Sequence, residues 1–164
     1  MPLPNLLAAM MARTRQFPEV MQLTQGRITS GRIRTYSEND PSGWRMPTYG
    51  LVYTLAAGPN FRPDRSPIRA QNVQVEAYGA DLRLADELYR TLYSNFFPYA
   101  ANAASGFIAA NCAVISLMEM GTPIQMYDGD TDWPRVIVTL HARYSEVPTN
   151  IQFASADLSA TSGV

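Results

Sequence analysis

"VQVEAYGADLRLADELYRTLYSNFF", residues 73–97, changes its period within a few residues, and that change decides the fold class. Up to Ala77 the apolar positions Val73, Val75 and Ala77 alternate with Gln74 and Glu76, which is the spacing of a strand with one face inward. From Asp81 the spacing lengthens. Ala85, Leu88, Leu92 and Phe96 form one stripe, widened by Leu82, Tyr89 and Tyr93, with Arg83, Asp86, Glu87 and Arg90 opposite. Gly79 permits the turn between the two patterns, and the Asp81 side chain is placed to accept from the free amides of the first helical turn. Pro98 ends the helix. Asp86 and Arg90 stand four apart in the favourable order, a contribution of only about 0.2–0.5 kcal/mol, so the apolar stripe orients this helix and the ion pair does not.

Strand patterns lie on both sides of this unit. Upstream, Tyr49, Leu51, Tyr53 and Leu55 share one phase of "TYGLVYTLAA" (48–57), and the prolines of "GPNFRPDRSP" (58–67) then forbid regular structure. Downstream, "YAANAASG" (99–106) reads as a small-residue connector. "FIAANCAVISLMEM" (107–120), apolar on both phases, reads as a strand buried on both sides. In "RVIVTLHARY" (135–144), Val136, Val138, Leu140, Ala142 and Tyr144 alternate with Ile137, Thr139, His141 and Arg143. Near the start, Leu6, Leu7, Met10 and Met11 predict a short helix entered through Pro2 and Pro4, and Pro18 opens a second helical turn that stops by Gly26. "GRITSGRIRTY" (26–36) alternates weakly, and "SENDPSGWRMP" (37–47) is an exposed loop. The expectation is an α+β fold: a mostly antiparallel mixed sheet packed by one long helix (about 81–97) plus a short N-terminal helix. Residues 1–164 are read as a single domain, with a helix-and-loop region at 1–47, an α+β core at 48–146 and a tail at 147–164 that is flexible or packed on a partner.

Composition narrows the function classes. A chain of 164 residues buries roughly 70% of its unfolded surface, and 46% hydrophobic content is that of a globular protein. Thirteen basic residues, all Arg, against fourteen acidic ones give a net charge of -1, which argues against a dedicated nucleic-acid binder. Cys112 is alone, so neither a disulfide nor a thiolate cage forms within the chain. The apolar run at the N-terminus is followed, not preceded, by Arg, the reverse of a secretory signal, and no stretch approaches the length of a membrane span. A soluble protein made in a cytoplasm is expected.

The most suggestive chemical motif is "DGDTDW". Asp128, Asp130 and Asp132 match the first ligands of an EF-hand loop, but Trp133 stands where Gly is needed and Thr139 where Glu is needed. Asp128-Gly129 reads instead as a hairpin turn in which Gly takes the positive φ, and Pro134 belongs at a strand end or edge. No metal site and no cofactor are expected. His141 has no second His and no motif-linked nucleophile, and Cys112 reads as a small buried hydrophobe. Glu76 and Glu119 form an acid–base pair only if their strands are adjacent and both side chains line a cleft. A P-loop is impossible without Lys. Arg62, Arg65 and Arg69, with Phe61 in a proline-stiffened loop, are suited to gripping a phosphate or a partner's carboxylates.

The strand ending in an aromatic-Gly step at Tyr78-Gly79, the long helix it enters (81–96), the later Tyr127-Asp128 turn and the Arg-initiated strand 135–144 together resemble the tail-terminator and tail-completion proteins of long-tailed bacteriophages. The resemblance spans residues 48–146. It implies a structural, non-enzymatic virion protein of the tail and neck, assembled in the host cytoplasm. Such a protein forms a homo-oligomeric ring of about six copies that caps the tail tube, ends its polymerisation and joins it to the head connector, closed by heterologous contacts between neighbours. Its partners are the tube protein and the connector protein, with DNA at most passing through the bore and no membrane involved. The expected interface is the loop bearing Phe61, Arg62, Arg65 and Arg69 and the hairpin with Tyr127, Asp128, Asp130, Asp132 and Trp133. The alternative is a small α+β ligand-binding or regulatory module acting as a dimer, with a pocket lined by Tyr53, Tyr89 and Tyr93; a hydrolase using Glu76 or His141 ranks last.

Overall fold

A computed structural model describes residues 5–45, 48–56, 67–98, 103–104 and 106–146. Three helices and one mixed sheet make an α+β fold. The helices are α1 (Leu6–Thr14), α2 (Pro18–Thr24) and α3 (Leu82–Phe96). The strands are β1 (Ile28–Ser30), β2 (Gly50–Leu55), β3 (Arg69–Tyr78), β4 (Ala103–Ala104), β5 (Phe107–Ala109), β6 (Cys112–Tyr127) and β7 (Pro134–Glu146). Along the sheet the order is β1-β2-β3-β7-β6-β4, with β5 also on β6, and every pairing except the parallel β1–β2 is antiparallel.

All three helices pack on one face of this sheet, the inner face. Ala85, Leu88, Leu92 and Phe96 of α3 are buried as their spacing predicts, against Val73, Val75 and Ala77 of β3 and Val136, Val138 and Leu140 of β7. Asp81 caps α3, accepting from Leu84 N–H at 2.8 Å. Gly79 serves a different end from the one expected. It does not adopt positive φ; a Cβ there would lie 2.4 Å from Ala85 N, so glycine is needed because the first turn of α3 backs onto the strand end. The N-terminal segment contributes the short helix expected after Pro4 and, from Pro18, the expected second turn as a helix of its own. Pro18 at the first turn of α2 and Gln25 and Gly26 at positive φ after it delimit a complete small helix. Phe17 meets Phe96 edge to face at 5.0 Å, and Tyr53 OH lies 2.6 Å from Thr14 Oγ1, which itself donates to Met10 O. These contacts tie α1 and α2 to the same core as α3.

Two strand readings are corrected. Leu55, in phase with Leu51 and Tyr53, is 49% exposed because it is the last residue of β2, at the margin of the helical layer. The 107–120 stretch is two strands, with Ala110 and Asn111 at φ 49° and 57° reversing the chain between β5 and β6, as a two-residue hairpin turn requires. Nor is it buried on both sides throughout. From Met118 onward the outer face of β6 has no helix over it, and the side chains there are exposed.

Candidate functional site

Cross-strand partners share a face, so the register places Glu76 and Tyr78 of β3 and Arg135 of β7 on the outer face of the sheet. Arg135 Nη1 donates to Glu76 Oε2 at 2.7 Å and lies 2.8 Å from Asp128 Oδ1. Glu76, only 8% exposed, also accepts from Tyr78 OH at 2.6 Å and from Gln74 Nε2 at 2.7 Å. The chain between β1 and β2 folds over this cluster. Trp44 and Trp133 each meet the Tyr78 ring edge to face at 6.3 Å, and Trp44 lies over Gly50, where a Cβ would fall 2.3 Å from its ring. Between that lobe and the β6–β7 turn is a cleft of about 220 Å³ lined by residues including Arg32, Glu76, Asp128, Asp130 and Arg135.

The turn from β6 to β7 is structural in its chemistry. Asp128 accepts from the backbone amide of Thr131 at 2.9 Å and from its hydroxyl at 2.7 Å. Asp132 N–H donates back to Asp128 O at 2.8 Å. The reading of this segment as a turn holds, but the positive φ falls on Asp132 (59°) and not on Gly129. Burial raises the pKa of Asp128, while the two Thr131 bonds and the Arg135 charge outweigh it, so its carboxyl titrates below the ordinary range. Among the described residues no three His, Cys, Asp or Glu side chains cluster as metal ligands. Asp130 and Asp132 are exposed at the tip, Tyr127 is 54% exposed beside it, and Trp133 turns inward onto Tyr78. Arg69 opens β3 opposite Tyr144, while Phe61, Arg62 and Arg65 lie outside the described residues.

Catalytic pairings considered from sequence do not assemble. Glu119 faces the helices, where Tyr89 OH donates to it at 2.9 Å, so Glu76 and Glu119 lie on opposite faces with β7 between their strands. A carboxylate held by three donors, as Glu76 is, is poorly suited to act as a general base. His141 Nδ1 pairs with Asn72 Oδ1 at 2.8 Å across β7 and β3. Cys112 is buried, and burial pushes its thiol up to about 11. Tyr53 is wholly buried on Thr14 and Tyr89 is bonded to Glu119, so these two tyrosines serve packing on the inner face. No described helix is long and apolar enough to cross a membrane.

Sequence reasoning missed the Glu76–Tyr78–Arg135 cluster and the role of Trp44. The available signal was Glu76 and Tyr78 two apart on a strand, on the face opposite Val75, with Arg135 opening the final strand.

A sheet with the described helices on one face and an ionic cluster under the Trp44 lobe on the other defines the class of the protein, an α+β scaffold whose outer face is partly open. No protein family and no curated protein matches the chain. Among solved structures it is similar to a chain of the "Virion of native gene transfer agent (GTA) particle", with a TM-score of 0.52 and 14% identity, over 85% of this chain and 94% of that one. At that identity the likeness establishes the fold.

Proposed function

We propose that this chain is a structural, non-enzymatic virion protein that acts by shape and self-association. The observation that carries the reading is the fold likeness to a virion chain over nearly the whole of both chains. More finely, the proposal is a tail-terminator or tail-completion role: a ring of about six copies that caps the tail tube and joins it to the head connector, at the tail or neck of the particle. The β6–β7 turn, with exposed Tyr127, Asp130 and Asp132 held on a braced base, is suited to partner contact, because Asp128 and Arg135 fix its geometry before any partner arrives. The segment with Phe61, Arg62 and Arg65, together with Arg69 at the start of β3, is proposed as the second contact.

Deleting the gene from a particle-producing host and imaging the products by electron microscopy tests this. The expected result is tails of uncontrolled length and heads without joined tails, restored by the wild-type chain supplied in trans. Normal particles in the deletion strain, or failure to find the chain in purified virions by mass spectrometry, overturns the reading.

A further inference from the structure

The outer face of β6 carries an apolar stripe that nothing described so far uses. Met118 pairs with His141, Met120 with Thr139, Ile124 with Ile137 and Met126 with Arg135, so all four share the face of the outward phase of β7. The irregularity between Met120 and Ile124, with Gly121 at positive φ, preserves that phase. Their exposures run from 38% to 58%. No helix covers this face; Ile137, Thr139, His141, Asn72 and Gln74 lie beside the stripe, and the adjoining charges, Glu76 and Arg135, are paired with each other at the end that the Trp44 lobe covers.

The edge of β6 is a poorer docking surface than its face. Pro123 lacks an N–H, and the irregularity around it interrupts the row of donors and acceptors that an added strand would need.

The two ends of the face carry opposite charge. Arg143, exposed, stands at the end opposite Ser116. At the other end are the exposed Asp130 and Asp132, which form no ion pair among the described residues; Arg135 there is neutralised by Glu76 and Asp128, and with Arg32 lining the same cleft as Asp130 the end keeps an acidic excess. Roughly 30 Å of β7 separates Arg143 from Pro134, where the acidic turn ends, with the middle of the apolar stripe midway between them.

We propose that this face packs on the same face of a second copy of this chain, antiparallel about a twofold axis that runs across the strands. Met118 of one copy then lies over Met126 of the other, Met120 over Ile124, and Arg143 over the acidic tip of its partner at both ends. The stripe is self-complementary in this orientation, as an isologous contact requires. Five outward-facing positions on each of β6 and β7, with the Asn72–Gln74 end of β3, span about 400 Å² per copy, or about 800 Å² in total, so the pair is weak and reversible. The contact is distinct from the heterologous ones proposed to close a ring on the tail tube, so the chain free in solution is expected to stop at two copies, and it does not depend on the virion reading.

Sedimentation equilibrium and light scattering on the full chain, across concentrations from about 1 to 300 μM, test it. The expected mass rises from the 18.2 kDa of one chain toward twice that value. Ile124→Asp is expected to remain at one chain throughout with an unchanged melting curve, since Ile124 is largely exposed in the single subunit. Arg143→Glu alone, or Asp130→Arg with Asp132→Arg, weakens association about tenfold, and combining all three reversals restores it. A single chain at every concentration, an assembly indifferent to Ile124→Asp, or failure of the combined reversals to recover association overturns the proposal. The gene-deletion phenotype is independent of each of these results.

Discussion

Arg135 and Glu76, separated by fifty-nine residues in sequence, meet at 2.7 Å on the outer face of the sheet and join β7 to β3. The guanidinium also reaches Asp128 at 2.8 Å, so one side chain holds both a strand pair and the turn that precedes it. Arg135 Nε is buried without a partner among the described residues, and the two short Nη1 contacts compensate for that cost.

Arg135→Met removes the cation paired with a nearly buried carboxylate. The expected loss is about 3 kcal/mol in urea unfolding, characteristic of an ion pair broken from one side. Replacing Arg135 with Met and Glu76 with Gln together is expected to lose less than Arg135→Met alone, because no buried charge is then left uncompensated.

Asp128 sets part of the acid limb of stability. Its folded pKa lies below the unfolded value of about 3.9, so the native state binds fewer protons there. Its contribution is present above about pH 4 and is lost as pH falls through the lowered folded pKa. Asp128→Asn is expected to be less stable than the parent at pH 6, and the difference shrinks by pH 3, read from urea midpoints at each pH.

Cys112 acts at the opposite end of the pH scale. Its folded pKa of about 11 is above the unfolded value, so its contribution is complete below about pH 8.5 and is lost as pH rises through about 11. Native protein at pH 8 is expected to react with a thiol reagent at least about a hundredfold more slowly than protein in urea, because both burial and the missing thiolate oppose attack. Equal rates in the two states would show that the thiol is accessible.

On α3 the stripe and the ion pair are separable. Leu88→Ala, at a fully buried position facing the sheet, is expected to cost about 2–5 kcal/mol. Asp86→Ala, which breaks an ion pair whose Arg90 partner is largely exposed, is expected to leave the denaturation midpoint almost unchanged. Chemical denaturation of the two variants beside the parent measures both.

Much of the candidate site was visible only in fragments. The 128–133 segment is legible as a turn because Asp and Gly compete locally for backbone hydrogen bonds, yet the placing of its positive φ on Asp132 depends on where Asp128 anchors to Thr131 and Arg135. Glu76 reads as an outward strand residue, and its face is as expected, but its burial comes from Tyr78, Arg135 and the Trp44 lobe, drawn from distant segments. The metal-loop reading was excluded from residue types at fixed offsets, which needs no tertiary information.

Sequence alone determined the elements whose cause is local: the stripe and Asp81 cap of α3, the alternation of β3 and β7, and the break at Pro98. Periodicity states which side chains share a face, because it follows from the geometry of a single helix or strand. It does not state which face is covered. That was decided by topology, which stacked three helices on the inner face, joined Glu76 to Arg135 and left Met118, Met120, Ile124 and Met126 uncovered. Burial depends on contacts between segments far apart in the chain, and no local window contains both partners.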